Sequence, residues 1–208
     1  YGIVDGLCVS NFVGKTAFAA VNLIMPLPML LGTIGFMLGT GGSAIVGNTL
    51  GEGDQKKADR YFTMFLLAAL GSVSVLAVLG LVFLRPIAVL LGAKGELLDY
   101  AVRYGRILML SLPTFILQNM FQSFFVTAEK PHPGLWFTVG AGCTNMVLDV
   151  LMVGVWGWGV EGAAIATFIS QLVGGVLPVF YFIDRSNTSR LHLCRTQFYG
   201  RVLWDACI

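Results

Sequence analysis

Four long stretches of this 208-residue sequence contain no Asp, Glu, Lys or Arg: 16–51, 61–84, 107–128 and 162–183. A bilayer core about 30 Å thick is crossed by roughly 20 helical residues, so three of these stretches have the length of one span each. The first stretch is too long for one span and too short for two spans with a loop. We therefore expect it to form one tilted or bent helix, with Pro26 and Pro28 near its first third.

The composition excludes most other classes of protein. Hydrophobic residues make up 56% and charged residues 12% of the chain, about half the charge of a soluble domain. Disorder requires low hydrophobicity, and nucleic-acid binding requires more basic charge than the net +2 of this chain. The four cysteines have no metal-binding spacing. The sequence predicts an all-α integral membrane protein with no nucleic-acid partner.

Charged residues and turn residues separate the apolar segments of the sequence, and these segments predict six transmembrane helices. Pro131-His132-Pro133 is a strong turn signal before a further apolar run, which ends near two interfacial tryptophans, Trp156 and Trp158. The connection 85–103 is expected to place its apolar part, Pro86–Leu91, along the outer surface. The predicted spans are 1–12, 17–46, 61–84, 104–127, 134–154 and 162–183.

The distribution of Lys and Arg predicts the orientation. The connections 51–60, 129–133 and 184–201 hold more Lys and Arg than the opposite side of the membrane. Cytoplasmic loops carry an excess of these residues, so we expect these three segments to be cytoplasmic and 85–103 to be external.

Two carboxylates, Asp5 and Asp149, lie inside predicted spans. A charged side chain at the bilayer centre costs about 3 kcal/mol on insertion scales, and such residues usually serve ions, protons or substrates. A structural role, in which each Asp caps or pairs with a neighbouring helix, is the alternative.

Depth within the membrane groups these carboxylates with other polar residues. At 1.5 Å per residue, Asp5, Asp149 and Thr167 lie about 9–12 Å from the outer helix ends. Asn145 shares the helix face of Asp149 because it precedes it by four residues, and Tyr1 stands in the same relation to Asp5. Carboxylate, amide and hydroxyl oxygens at one level suit a proton or a small hard cation such as Na⁺.

Two further patterns concern helix packing and cavity lining. Gln118, Asn119 and Gln122 form a polar stripe on the fourth span, which either lines a cavity or makes hydrogen bonds between helices. The pairs Gly2-xxx-Gly6, Gly35-xxx-Gly39 and Gly47-xxx-Gly51 predict close approach of helix backbones.

Several motifs together resemble the multidrug and toxic compound extrusion (MATE) family. VDGLCVS at 4–10 is similar to the VDxxFVG signature of its first helix. Residues 35–43 (GFMLGTGGS) and 50–53 (LGEG) resemble its second helix and first inner loop. Asn145-xxx-Asp149 and GAAIAT at 162–167 are similar to its fifth and sixth helices.

The resemblance implies a twelve-helix transporter in two six-helix lobes. Residues 1–183 would be the amino-terminal lobe with a truncated first helix, and 184–208 the cytoplasmic inter-lobe connection with the start of the next helix. The carboxy-terminal lobe would be the partner that completes the cavity. Four residues match the family's cation or proton site: Asp5, Asn145, Asp149 and Thr167.

The implied function is not enzymatic: it is secondary active export of organic, often cationic, compounds across a cell membrane in exchange for H⁺ or Na⁺, without a cofactor. A related flippase for lipid-linked precursors is the first alternative, and cavity-facing arginines would favour it. An intramembrane aspartyl protease using Asp5 and Asp149 is the second. It is disfavoured because Asp5 follows Val and no GxGD precedes Asp149.

Overall fold

The computed structural model describes residues 9–184, 191–194 and 202. Every regular element in this described part is a helix, which confirms the all-α prediction. Residues 9–12 are helical and precede the named elements. The helices are α1 (Lys15–Ile24), α2 (Pro26–Gly51), α3 (Gln55–Leu90), α4 (Glu96–Thr127), α5 (Pro131–Asp149), a π-helix (Val150–Val155) and α6 (Gly159–Ile183).

Helices α1 and α2 together form one apolar span, Lys15–Gly51. The two helices meet at Met25, which keeps helical dihedral angles (φ −49°, ψ −40°). Pro26 follows directly and has no N–H to donate to the preceding turn, so the hydrogen-bond ladder is interrupted there. The long first stretch is therefore one span with a proline break, as predicted.

The described residues contain five helices long and apolar enough to cross a membrane. These five correspond to predicted spans two to six. The remaining predicted span, 1–12, lies mainly outside the described residues. In this arrangement the turns at 52–54 and 128–130 share one end of the bundle, and those at 91–95 and 156–158 share the other.

The prediction for the connection 85–103 is wrong in its extent. Helix α3 runs through Pro86 to Leu90, and α4 already begins at Glu96, so the turn contains only 91–95. The 36 residues of α3 span about 54 Å at 1.5 Å per residue, more than the bilayer with its headgroups. Charged residues therefore lie on the helix itself, where their long side chains reach water.

The centre of the bundle is α4, which packs against α2, α3 and α6. At the end near the 128–130 turn, the rings of Phe62, Phe124, Phe125 and Phe182 form a buried cluster. The ring centroids of Phe62 and Phe124 are 4.7 Å apart, and those of Phe125 and Phe182 are 4.9 Å apart. These contacts fix the ends of α3, α4 and α6 to one another.

A glycine stripe on α2 brings it close to two neighbouring helices. A Cβ at Gly35 would lie 2.6 Å from Cδ1 of Ile116, and one at Gly42 would lie 2.8 Å from Cγ of Phe65. These spaces are too small for a methyl group, which confirms the predicted packing role of Gly35.

The remaining glycine pairs differ from this stripe. A Cβ at Gly39, the partner of Gly35, would lie 3.2 Å from Cγ of Met120, so it belongs to the same close contact. A Cβ at Gly47 would lie 3.5 Å from Cγ2 of Thr127, an ordinary contact, and one at Gly51 would meet nothing within 4 Å, so the prediction of a close backbone approach at this pair is wrong. Gly2 and Gly6 lie outside the described residues.

Residues 191–194 return to the bundle after α6. Three backbone N–H groups of this short segment donate to it: His192 to Oδ1 of Asp59 (2.9 Å), Leu193 to the carbonyl of Phe182 (3.0 Å) and Cys194 to Oγ1 of Thr63 (3.1 Å). Leu191 is fully buried among the apolar residues of the bundle. The segment is therefore attached to the first turns of α3 and the last turn of α6.

Candidate functional site

Two of the predicted site residues lie on one face of α5. Asn145 and Asp149 are four residues apart, and both are 0% exposed. Their side chains therefore follow one another along the buried side of the helix. Asp149 is the last residue of α5, and the π-helix begins directly after it. Such π-helical turns are rare and are found frequently at functional sites.

Thr167 on α6 meets this face of α5. Nδ2 of Asn145 donates a hydrogen bond to Oγ1 of Thr167 at 3.4 Å, and Thr167 is 6% exposed. Oδ1 of Asn145 has no hydrogen-bond partner among the described residues. Within the described part of the chain, one acceptor oxygen of the pair thus remains open to a ligand.

Small residues at the start of α6 allow this approach. A Cβ added to Gly162 would lie 3.1 Å from the carbonyl oxygen of Met152 in the π-helix. Ala163, Ala164 and Ala166 follow on α6 and are completely buried. The backbone of α6 therefore packs directly on the end of the helix that carries Asp149, and Thr167 lies one turn further in.

The other predicted members of the cluster, Asp5 and Tyr1, lie outside the described residues. Within the described part, the structure brings Asn145 and Thr167 into contact and places Asp149 one helical turn from Asn145. A carboxylate, an amide oxygen and a hydroxyl within about one helical turn are hard ligands of the kind that bind a small cation or exchange a proton.

The polar stripe of α4 divides into three different environments. Gln118 is buried (6% exposed), and its Oε1 has no hydrogen-bond partner among the described residues. Nδ2 of Asn119 donates to the carbonyl of Phe115 in its own helix at 2.7 Å. Nε2 of exposed Gln122 donates to Oγ1 of Thr138 on α5 at 3.3 Å. Of the three, Gln118 has an acceptor free for a ligand, and Gln122 joins two helices.

A cavity of about 270 Å³ lies between the α1–α2 break, α4 and α6. Its wall is mostly apolar, with polar contributions from Ser111, Thr167 and Gln171. Sequence reasoning missed Gln171, although it follows Thr167 by four residues and so shares its helix face. The lining residues are Met25, Pro28, Met29, Leu108, Ser111, Leu112, Phe115, Thr167 and Gln171.

A family model and similar proteins of known name were found by comparison, and they agree with one another. The MatE family model matches residues 1–151. Multidrug export protein MepA of Staphylococcus haemolyticus is 28% identical over 188 residues, which cover 90% of this chain and 42% of that protein. MepA of Staphylococcus aureus (strain NCTC 8325 / PS 47) is 26% identical over 195 residues, covering 93% of this chain and 43% of that protein. The chain spans less than half the length of these relatives.

Solved structures share the fold. A MATE protein in complex with MaL6 superposes with a TM-score of 0.92 at 24% identity, covering 99% of this chain and 46% of that one. The inward-facing conformation of a multidrug resistance MATE family transporter of the MOP superfamily gives a TM-score of 0.89 at 25% identity, covering 99% and 47%. The six-helix interpretation is therefore confirmed at the level of the fold.

These relatives are multi-pass transporters rather than enzymes, and the MepA proteins are bacterial. The expectation that the chain is not an enzyme is confirmed, and the aspartyl protease alternative has no support. The five apolar helices of the described residues agree with a place in the cell membrane. With a family model that matches residues 1–151, the chain belongs to the MATE family of multidrug and toxic compound extrusion transporters.

Proposed function

We propose that this chain is the amino-terminal half of a secondary active transporter that exports organic compounds in exchange for H⁺ or Na⁺. In this proposal residues 1–183 form one lobe, and 184–208 are the cytoplasmic connection to a second lobe. The name of the MepA relatives, multidrug export protein, supports an organic substrate. The second lobe and the substrate are the partners that this function requires.

The coupling site in this proposal consists of Asp5, Asn145, Asp149 and Thr167. The observation that carries it is the complete burial of Asn145 and Asp149 on one face of α5, against Thr167 of α6. A carboxyl group inside the lobe can take up H⁺ or bind a cation, and either event neutralises a charge that is costly to bury. Binding of H⁺ or Na⁺ at this level therefore changes the charge inside the lobe.

That change of charge can drive transport if the two lobes can adopt two different positions relative to each other. The loaded site favours one arrangement and the substrate favours the other, so that the lobes rock around a central cavity. An inward potential of 100 mV contributes about 2.3 kcal/mol for each positive charge that enters. One ion per cycle is thus enough to bias the exchange strongly when the exported compound is neutral, whereas a monovalent cationic compound needs a second ion for the potential to contribute.

The flippase alternative would need arginines that face a buried cavity to hold a diphosphate. The four arginines of the described residues, Arg60, Arg85, Arg103 and Arg106, all lie outside the uncharged centres of α3 and α4, towards the ends of the bundle. Arg103 forms an ion pair with Glu161 (Nη1 to Oε1, 3.6 Å) at the end of the bundle near the 91–95 turn. We therefore favour drug export over lipid flipping.

Asp149→Asn in the complete transporter tests this function. Asparagine keeps the size and hydrogen-bonding capacity of the side chain but cannot release a proton or offer a full negative charge to Na⁺. In proteoliposomes with an imposed H⁺ or Na⁺ gradient, we expect the wild type to export substrate and the variant to lose gradient-driven export. The gradient that drives the wild type identifies the coupling ion.

Asp99→Asn is the matched control, because Asp99 is an exposed carboxylate in the first turn of α4. This control should export at the wild-type rate. Asp5→Asn should behave like Asp149→Asn if both carboxylates load the ion. Gradient-driven export at the full rate by Asp149→Asn would exclude the coupling role of that residue.

A further inference from the structure

Two buried amide side chains in the described part of the chain have acceptors without protein partners. Gln118 on α4 and Gln171 on α6 are each 6% exposed, and neither Oε1 accepts a hydrogen bond from any described residue. Burial of such a group without a partner costs about 1–3 kcal/mol in proteins. Buried polar atoms that lack a protein partner are generally satisfied by water or a ligand.

The positions of these amides follow from the helix register. Gln171 comes four residues after Thr167 and three before Gly174, so the three lie along one face of α6. The Gln118 side chain lies against the backbone at Gly174, where an added Cβ would be 2.8 Å from its Cδ and 2.9 Å from its Nε2. Gln118 thus contacts α6 within one helical turn of Gln171.

The row of amide side chains continues along α4 and reaches α5. Gln122 follows Gln118 by four residues and donates to Oγ1 of Thr138. Gln122 is exposed and borders an open pocket beside His132 in the first turn of α5. We call Gln171, Gln118 and Gln122 the amide line. From Thr167 to Gly174 is about 10 Å, and from Gln118 to Gln122 about 6 Å, at 1.5 Å per residue.

Space for water exists at the buried end of this line. The cavity of about 270 Å³ is bordered by both Thr167 and Gln171. Each liquid water occupies about 30 Å³, so the cavity has room for several molecules next to Gln171. Thr167 in turn accepts from Asn145, the neighbour of Asp149 on α5.

We propose that the amide line is a hydrated route along which the coupling ion passes between the Asn145–Asp149–Thr167 site and the opening at Gln122. Gln171 and Gln118 hold the intermediate waters with their unpaired acceptors, and Gly174 leaves room for the Gln118 amide. Amides suit this task because they can donate and accept without fixing the charge of the passing ion. This proposal rests on the proposed exchange function.

Cysteine reactivity tests hydration without relying on transport. In the complete transporter with its native cysteines replaced by serine, single cysteines are placed by Gln171→Cys, Gln118→Cys and, as control, Met120→Cys. Met120 is on the same helix as Gln118, is 0% exposed and lies in the apolar core. Only a thiolate reacts with a methanethiosulfonate reagent, and apolar burial disfavours the thiolate.

We expect the cysteines at 171 and 118 to react at least about tenfold faster than the control, the factor that one pKa unit of thiol ionisation produces. Equal reaction rates at all three positions would overturn the hydrated route. Because this result does not depend on export, it stands whether or not the exchange function holds.

Transport variants test the role of the route. Gln171→Leu removes the amide at similar volume, and Gly174→Ala pushes the Gln118 amide from its place. Gly71→Ala is the control, because a Cβ there meets nothing within 4 Å. We expect the first two variants to slow gradient-driven export about tenfold, equivalent to about 1.4 kcal/mol, and the control to leave it unchanged.

Thermal stability separates this effect from misfolding. Replacing a buried amide whose Oε1 has no partner among the described residues by leucine should leave the melting temperature unchanged or raise it. If Asp149→Asn abolishes export while Gln171→Leu and Gly174→Ala both export at the full rate, the route is wrong and the exchange function stands. If Asp149→Asn exports normally, the exchange function itself fails.

Discussion

Gly35→Ala is the sharpest perturbation of the packing in this lobe. The new methyl group would overlap the Ile116 side chain, whose Cδ1 and Cγ1 would be only 2.6 and 2.8 Å away. Ile116 is 2% exposed and β-branched, so it has neither open space nor many alternative rotamers. Helices α2 and α4 must separate locally, and overpacking of this kind typically costs about 1–3 kcal/mol.

The matched variant is Gly71→Ala on α3, where a Cβ meets nothing within 4 Å. Both changes alter helix propensity by the same amount, up to about 1 kcal/mol. The difference between the two variants is therefore the steric contribution alone, which we expect near 3 kcal/mol because the Gly35 contacts are so short. Unfolding of the purified transporter in detergent, followed by circular dichroism against SDS, measures this difference.

A double-mutant cycle identifies the clash. Ile116→Ala alone should destabilise the protein by about 2–5 kcal/mol, because it leaves a cavity. Combined with Gly35→Ala it should cost much less than the sum, with a coupling energy of up to about 3 kcal/mol. Additive single effects, or equal stabilities of Gly35→Ala and Gly71→Ala, would refute the claim that these two side chains compete for one space.

Two further predictions concern the bundle end that carries the 52–54 turn. In intact cells, a single cysteine at Asp54 should be protected from an impermeant thiol reagent, and a single cysteine at Lys94 should be labelled. Labelling of the Asp54 site from outside would show that the predicted orientation is wrong. Thr63→Val removes the acceptor for Cys194 N–H and weakens this attachment by about 1 kcal/mol, so Cys194 should react with a thiol reagent about fivefold faster. Thr49→Val, which removes only a bond from Thr49 Oγ1 to its own helix, should leave that rate unchanged.

The sequence was sufficient to predict the centres of the helices but not their ends. Uncharged runs reveal the part of a helix that lies in hydrocarbon, and this part was placed correctly for spans two to six. Helix α3 continues past Arg85 and Pro86 because a helix does not stop where the lipid stops. Pro86 removes one hydrogen bond, but it lies only four residues before the helix end, so few further bonds depend on it.

The candidate site was predictable to the extent that it depends on helix period. A spacing of four residues put Asn145 and Asp149 on one face, and both are buried. The same rule applied to Thr167 would have found Gln171. The contact of Gln118 with Gly174 could not be found in this way, because it depends on how α4 and α6 are rotated against each other.

In the proposed two-lobe transporter, the attachment of residues 191–194 shortens the part of the inter-lobe connection that can move freely. Measured along the sequence, this connection starts at Asp184, where α6 has ended. Its freely moving part starts only after Cys194, because the backbone N–H groups of residues 192–194 are hydrogen-bonded to α3 and α6. Residues 191–194, which a linker model would count as flexible, therefore move with the lobe. Any swing of a following domain has to be absorbed beyond them.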